Sequence, residues 1–296
     1  MEHYFAPPAE FREKFGAKLS GDQCRALCFA HRSPDFPPIE PARWPLKLVE
    51  LSKQGGVHIV AGSAFYVPAW HPDNIDQLSL DDLTEYMVRD IAEGMDGTGV
   101  KAGLIGEVPA VNLESGSNVN NETRVLIASA RASRLTGAAI STHSSFAARD
   151  EIEIMLQRSL DIIAGEGVGL SRVVIGHTKI SEKADIGLFE RLLKRGVYLE
   201  FDLLGDPWQD SGPMIEAIAT LIQQGYAKQL LISHDIFTKF HLRRFGGNGL
   251  TYIHSVVIPS LREKGVSSAA IKQLIEDNPR RVLTFIQPQA LLDNPE

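Results

Sequence analysis

Four apolar, β-branched runs in this chain end on residue types that can hold metal ions: AGLIGEV carries Glu107, ISTHS carries His143, VVIGHT carries His177, and LLISHD ends on Asp235. Continuous Val/Ile/Leu runs of this kind read as fully buried parallel strands. The loops after the carboxyl ends of such strands form the catalytic face of a (β/α)8 barrel, so ligand-type residues at several strand tips point at one spot. Two carboxylates and two imidazoles suit Zn2+ or a similar divalent ion. An ion of that kind lowers the pKa of a bound water toward about 7 and polarises a scissile carbonyl or phosphoryl oxygen. Asp235, at the same mouth, can accept the proton and deliver it to the leaving group. A single histidine at a strand end is more often a hydrogen-bonded structural residue. Four ligand-type residues at one topological level reverse that balance.

Further polar residues stand near these tips. Tyr66, just past the run VHIVAGSAFY, is a candidate substrate contact, with simple packing as its alternative. Arg243 and Arg244, beside the GGNG stretch, can hold an anionic group of a substrate, with a solvated basic loop as the equal alternative, and Arg244 is taken as the substrate-binding candidate. GGNG lacks the GK[ST] ending of a Walker phosphate loop. His234, adjacent to Asp235, faces the other side of its strand and reads as structural. His58 reads as a core residue, Asp202 as the start of a loop, and His71, His241 and His254 show no partner pattern. Cys24 and Cys28 are the only cysteines, which excludes a disulfide framework and leaves a weak CxxxC metal cue.

The elements that must position these side chains alternate in type. Six strand-like runs begin at Val57, Ala102, Ala138, Arg172, Val197 and Gln229. Helical periodicity fills the intervals. SLDDLTEYMVRDIAEGM opens on Ser79 as an N-cap with acids in its first turn. NNETRVLIASARASRLTG stops at Gly137, as helix C-termini prefer. GLFERLLKRG and MIEAIATLIQQGYAKQ continue the pattern. Strand, helix, strand, helix is the signature of a parallel sheet. At the far end, Ser267 reads as an N-cap and Asn278-Pro279 as a turn before a last short helix.

Closing an eight-stranded barrel requires two more strands from residues 1–56, a stretch dense in proline. Its one strand-like run is QCRALCFAHRS, and if that run fills a barrel position His31 lies near the metal. The expected architecture is therefore α/β, a distorted TIM (β/α)8 barrel over residues 57–296, preceded by an atypical segment over 1–56 whose first strands are incomplete.

A length of 296 residues, 44% hydrophobic and 23% charged, suits one such domain with a full core. The net charge of -7 argues against nucleic acid or an anionic membrane as the main partner. No run is long and apolar enough for a membrane span, and the opening residues carry no signal pattern, so a cytoplasmic protein acting on a small molecule is expected.

From about Val57 to Phe285 the chain resembles the phosphotriesterase-related family of the amidohydrolase superfamily. The similarity lies in GVHIVAGSAFYV, EGMDGTGVKAGLIGEV, STHS, RVVIGHT, VYLEFDLLG, QLLISHDIFTKFHLRRFGGNG and DNPRRVLTF, in the family's order. The resemblance implies a distorted TIM barrel with a binuclear metal centre that hydrolyses an ester, lactone, amide or phosphotriester bond. It also implies that Glu107 is the carboxylate bridging two metals, where other members carry a carbamylated lysine. His143 and His177 then resemble the pair on the more exposed ion, and Asp235 the last-strand aspartate that ligates the buried ion and shuttles the proton. One or two divalent ions, Zn2+ first among them, are expected, and a homodimer is the expected assembly. The family's H-x-H pair on the first strand is not recognisable here. Glu2-His3 reads equally as a stump of that pair or as chance, and the composition of residues 11–45 fits a truncated start, an altered reading frame or genuine divergence. The alternative reading is accordingly an inactive or metal-poor remnant that binds without turning over.

Overall fold

The computed structural model describes residues 25–28, 44–68, 71–110, 119–144, 152–181, 185–237 and 241–291. Strands and helices alternate along them. The strands are β1 (Arg25–Cys28), β2 (His58–Ser63), β3 (Leu104–Pro109), β4 (Ile140–His143), β5 (Val173–Ile175), β6 (Tyr198–Phe201) and β7 (Leu230–Ile232). The α-helices are α1 (Pro45–Gly55), α2 (Leu80–Ala92), α3 (Val119–Thr136), α4 (Ile152–Gly165), α5 (Ile186–Leu193), α6 (Gly212–Gln223), α7 (Ile258–Glu263), α8 (Ser268–Lys272) and α9 (Asn278–Leu283). All six strand-like runs of the sequence contain strands, and the run RALC supplies a further one. The fold is α/β. Among the described residues, no helix is long and apolar enough to cross a membrane.

The chain divides into two compact units: residues Met1–His143, Ser159–Val168 and Phe285–Glu296, and residues Ser144–Arg158 and Gly169–Thr284. In the first unit β1 to β4 pair in order, each neighbour parallel to the next. β3 is buried at all six positions, which is why it reads as an apolar run interrupted by a single charged residue, Glu107. Leu83, Met87 and Ile91 of α2 and Leu126 of α3 bury their side chains beside this sheet's core residues Ile105 and Ile140. α2 starts on a reciprocal cap: the Asp82 N–H donates to Ser79 Oγ at 3.0 Å and the Ser79 N–H to Asp82 Oδ2 at 2.8 Å. α3 ends where Gly137 takes a φ of 77°. A Cβ there would strike the carbonyl of Ile286, so glycine is required for space as well as for backbone angle.

In the second unit β5, β6 and β7 are likewise parallel neighbours. Phe189 of α5 and Phe201 of β6 meet edge to face, with ring centres 5.7 Å apart, in a core that includes Ile175 and Ile218. Asp185 caps α5 by accepting the Leu188 N–H at 2.9 Å, and Ser267 caps α8 by accepting the Ala270 N–H at 3.2 Å.

Two expectations from the sequence are corrected. His58 is exposed rather than in the core, because the buried face of β2 begins only at Ala61. Asn278-Pro279 is not a turn: α8 runs through a π-helical turn, Gln273–Asp277, directly into α9. The same device, Ile253–Val257, precedes α7 and Pro259. Proline lacks the N–H of an i→i−4 bond and its ring crowds the preceding turn. A widened π turn just before each proline removes that crowding and lets the helix continue. Asn278 adds a tertiary reason to stay helical, since its buried amide donates to the carbonyls of Ala227 and Leu230 at 2.7 and 2.8 Å.

Candidate metal centre

Every candidate ligand lies at or just beyond the carboxyl end of its strand. Glu107 is in the last half of β3, His143 closes β4, His177 follows β5 by two residues, and Asp235 follows β7 by three. In the first unit, β3 changes register against β4 between Ile105 and Val108, which places Gly106 and Glu107 at an irregularity that re-aims side chains. Gly106 is needed there, because a Cβ would come within 2.9 Å of Ser141 Cβ. Glu107 is 6% exposed, and its Oε2 lies 3.4 Å from His143 Nδ1. Tyr66 Oη sits 3.0 Å from His143 Nδ1 and 3.3 Å from Nε2, with the two rings edge to face. His71, unassigned from sequence, is buried and holds the Tyr66 carbonyl through Nε2 at 2.5 Å. It therefore anchors the loop that carries Tyr66.

In the second unit, His177 has a φ of 54° and Asp235 a φ of 46°. Left-handed backbone is costly for any residue but glycine, and such positions concentrate where function demands them. His177 Nδ1 is 3.1 Å from Asp202 Oδ2 and 4.0 Å from Asp235 Oδ2. The His177 backbone N–H donates to Asp202 Oδ2 at 2.8 Å. Asp202, read from sequence as a loop residue, is 4% exposed. Its position one residue beyond the strand VYLEF was a usable signal, and the same strand-tip logic that selected the other four would have found it. Its Oδ1 is buried and has no hydrogen-bond partner among the described residues.

His234 is structural, as expected: its Nε2 accepts the Ile253 N–H at 3.2 Å. Burial, with a smaller contribution from nearby His254, holds its imidazole down at about 4, against an ordinary value of 6.5. The folded state thus keeps His234 neutral where the unfolded chain takes up a proton. Stability is complete above pH 6.5 and is lost as pH falls through the interval toward 4, by about 2 kcal/mol at pH 5. Chemical denaturation at pH 7 and pH 5 measures this loss, and His234→Gln removes most of it. His241 is buried under the rings of Trp208 and Phe237, with centres 5.3 and 5.0 Å away. Arg244 is exposed, its guanidinium 5.8 Å from the centre of the Phe245 ring. His3, Cys24 and His31 lie outside the described residues.

The first unit brings the Glu107 carboxylate to the His143 imidazole, and the second brings His177 to the carboxylates of Asp202 and Asp235. Carboxylate and imidazole donors of this kind suit a borderline divalent ion. The unpartnered Asp202 oxygen beside His177 shows that the surroundings favour positive charge.

Each unit is thus a parallel α/β framework with carboxylate and histidine side chains at its strand ends. The sequence matches the phosphotriesterase family model over residues 42–283, and the chain belongs to that family and is an enzyme of the hydrolase class. It is 33% identical to N-acetyltaurine hydrolase of Dictyostelium discoideum over 256 residues, covering 83% of this chain and 66% of that protein. It therefore spans about two thirds of that relative's length. The solved phosphotriesterase homology protein of Escherichia coli, which carries phosphate in its active site, is 30% identical and superposes with a TM-score of 0.73 over 82% of this chain and 80% of that one. The resiniferatoxin-binding protein of Rhodobacter sphaeroides is 32% identical, with the same TM-score over 81% of this chain and 67% of that one.

Proposed function

We propose that this enzyme is a metal-dependent hydrolase that cleaves a carbonyl-type bond of a small acylated substrate, with the amide of an N-acylated amino acid or amino sulfonate as the first candidate. The observation that carries the reading is the buried Glu107 carboxylate lying 3.4 Å from the His143 imidazole at neighbouring strand ends. Glu107, His143, His177 and Asp235 would hold one or two divalent ions, with zinc the best match to this donor set. Such an ion supplies Lewis acidity and a water acidic enough to ionise near neutral pH. Asp235, the more solvent-accessible carboxylate, accepts a proton from the attacking water and returns it to the leaving nitrogen or oxygen. Tyr66, within hydrogen-bond reach of His143, lies where it can contact the substrate carbonyl, and Arg244 would meet an anionic substrate group. The N-acetyltaurine hydrolases at 30–33% identity support the amide assignment. TM-scores of 0.73 to solved relatives support a distorted (β/α)8 barrel as the complete architecture. The same reading takes the enzyme to be cytoplasmic.

The test is dialysis against a strong chelator followed by metal analysis and a substrate panel of N-acyl amino acids, N-acetyltaurine, lactones, aryl esters and a phosphotriester. Hydrolysis disappears on chelation and returns with Zn2+, Mn2+ or Co2+. Activity unchanged after complete metal removal rejects the metal-dependent mechanism. A folded protein that neither binds metal nor turns over any panel member establishes the metal-poor remnant instead.

A further inference from the structure

We infer that Asp202 is the positioning residue of His177: it clamps the histidine's left-handed backbone and sets which ring nitrogen is free to bind a metal. Three observations on β5, β6 and their following residues carry this. First, the φ of 54° at His177 is unfavourable for a β-carbon-bearing residue. The Asp202 carboxylate offsets that cost by accepting the His177 N–H at 2.8 Å, a charge-assisted bond inside a buried site. Second, the same Oδ2 stands 3.1 Å from Nδ1. The contact lacks the alignment of a full hydrogen bond, yet its electrostatic consequence is clear. A bare nitrogen lone pair facing a carboxylate oxygen at this distance is repelled, whereas an N–H is attracted. The ring proton therefore belongs on Nδ1, and the Nε2 lone pair is the one presented to a metal. Third, Asp235 Oδ2 is farther from this nitrogen, at 4.0 Å, so Asp202 is the closer of these two carboxylates.

This assignment deepens the metal-holding role given to His177 and rests on it for its consequence, while the tautomer it specifies can be observed without any metal. The experiment has two arms on the full chain. In the first, long-range 15N–1H correlation spectra of protein labelled at its nine histidines report the tautomer of His177, assigned by His177→Asn. Wild type shows the Nδ1–H form, and Asp202→Ala loses it. In the second, chelator competition measures Zn2+ affinity, with circular dichroism as the check on folding. Asp202→Ala binds Zn2+ roughly 10–100-fold more weakly, the usual cost of removing the group that orients a metal-bound histidine. Asp202→Asn recovers most of that loss, because its amide oxygen accepts the same backbone N–H. A wild-type His177 in the Nε2–H form overturns the proposal. So does an alanine variant that binds Zn2+ as wild type does, or an asparagine variant as weak as alanine. Wild-type protein that takes up no Zn2+ overturns the metal reading instead, and the spectra still decide the role of Asp202.

Discussion

Replacing His143 by alanine lowers kcat/KM by roughly a thousandfold or more, with metal content falling in parallel and the fold intact. The magnitude follows from what the side chain would do. A divalent ion at such a site contributes several kcal/mol of transition-state stabilisation, and each 1.36 kcal/mol is a tenfold change in rate. The position also suits a clean test. His143 ends β4 in ordinary extended backbone and pairs with Pro109, so alanine introduces no backbone strain. Its ring is not a core filler, since its side chain is 19% exposed and reaches the polar groups of Tyr66 and Glu107. Thermal unfolding of the metal-free forms of variant and wild type should therefore differ little, while metal stoichiometry and turnover should both collapse. A His143→Ala enzyme that hydrolyses its substrate at the wild-type rate removes the basis for the whole catalytic assignment.

Asp235→Asn lowers kcat by roughly a hundred- to ten-thousandfold, the range typical of a lost general acid or base. Asparagine is the informative replacement because the backbone here is left-handed, at φ 46°. Asn adopts that region more readily than alanine does, so the change removes charge and basicity without a folding penalty. The pH profile separates a proton-shuttling role from a purely ligating one. A shuttle lost at Asp235 abolishes the acidic limb of the kcat profile, whereas loss of a ligand alone lowers metal affinity and leaves the shape of the profile at saturating metal. Substrate with a better leaving group should also recover part of the Asn variant's rate if the carboxyl delivers a proton to that group.

How much of this was readable before any coordinates depends on the range of the interaction concerned. Strand identity was plain because β3, β5 and β7 are buried on both faces and hence mostly apolar, a local property of composition. The caps at Ser79 and Ser267 were plain for the same reason, since a cap is a bond between residues three apart. His58 misled because one polar residue within an apolar run does not announce whether it stands at the edge of the buried face. Asn278-Pro279 misled because the dipeptide favours a turn locally, while the carbonyls that hold the Asn278 amide come from residues 227 and 230. A contact across some fifty residues leaves no mark in the immediate neighbourhood.

The ligand candidates Glu107, His143, His177 and Asp235 were determined by the sequence alone, because a strand tip is a one-dimensional event: an apolar run stops and a donor begins. What only the tertiary structure decided is how those donors are held. The left-handed turns at His177 and Asp235, the irregular register around Glu107, the reach of Tyr66 to His143 and the buried carboxylate of Asp202 all depend on partners from other strands. The reason is physical. Residue type dictates which atoms can donate an electron pair, whereas orientation and protonation are set by the electric field and hydrogen bonds of groups distant in the chain, which exist only after the strands have come together.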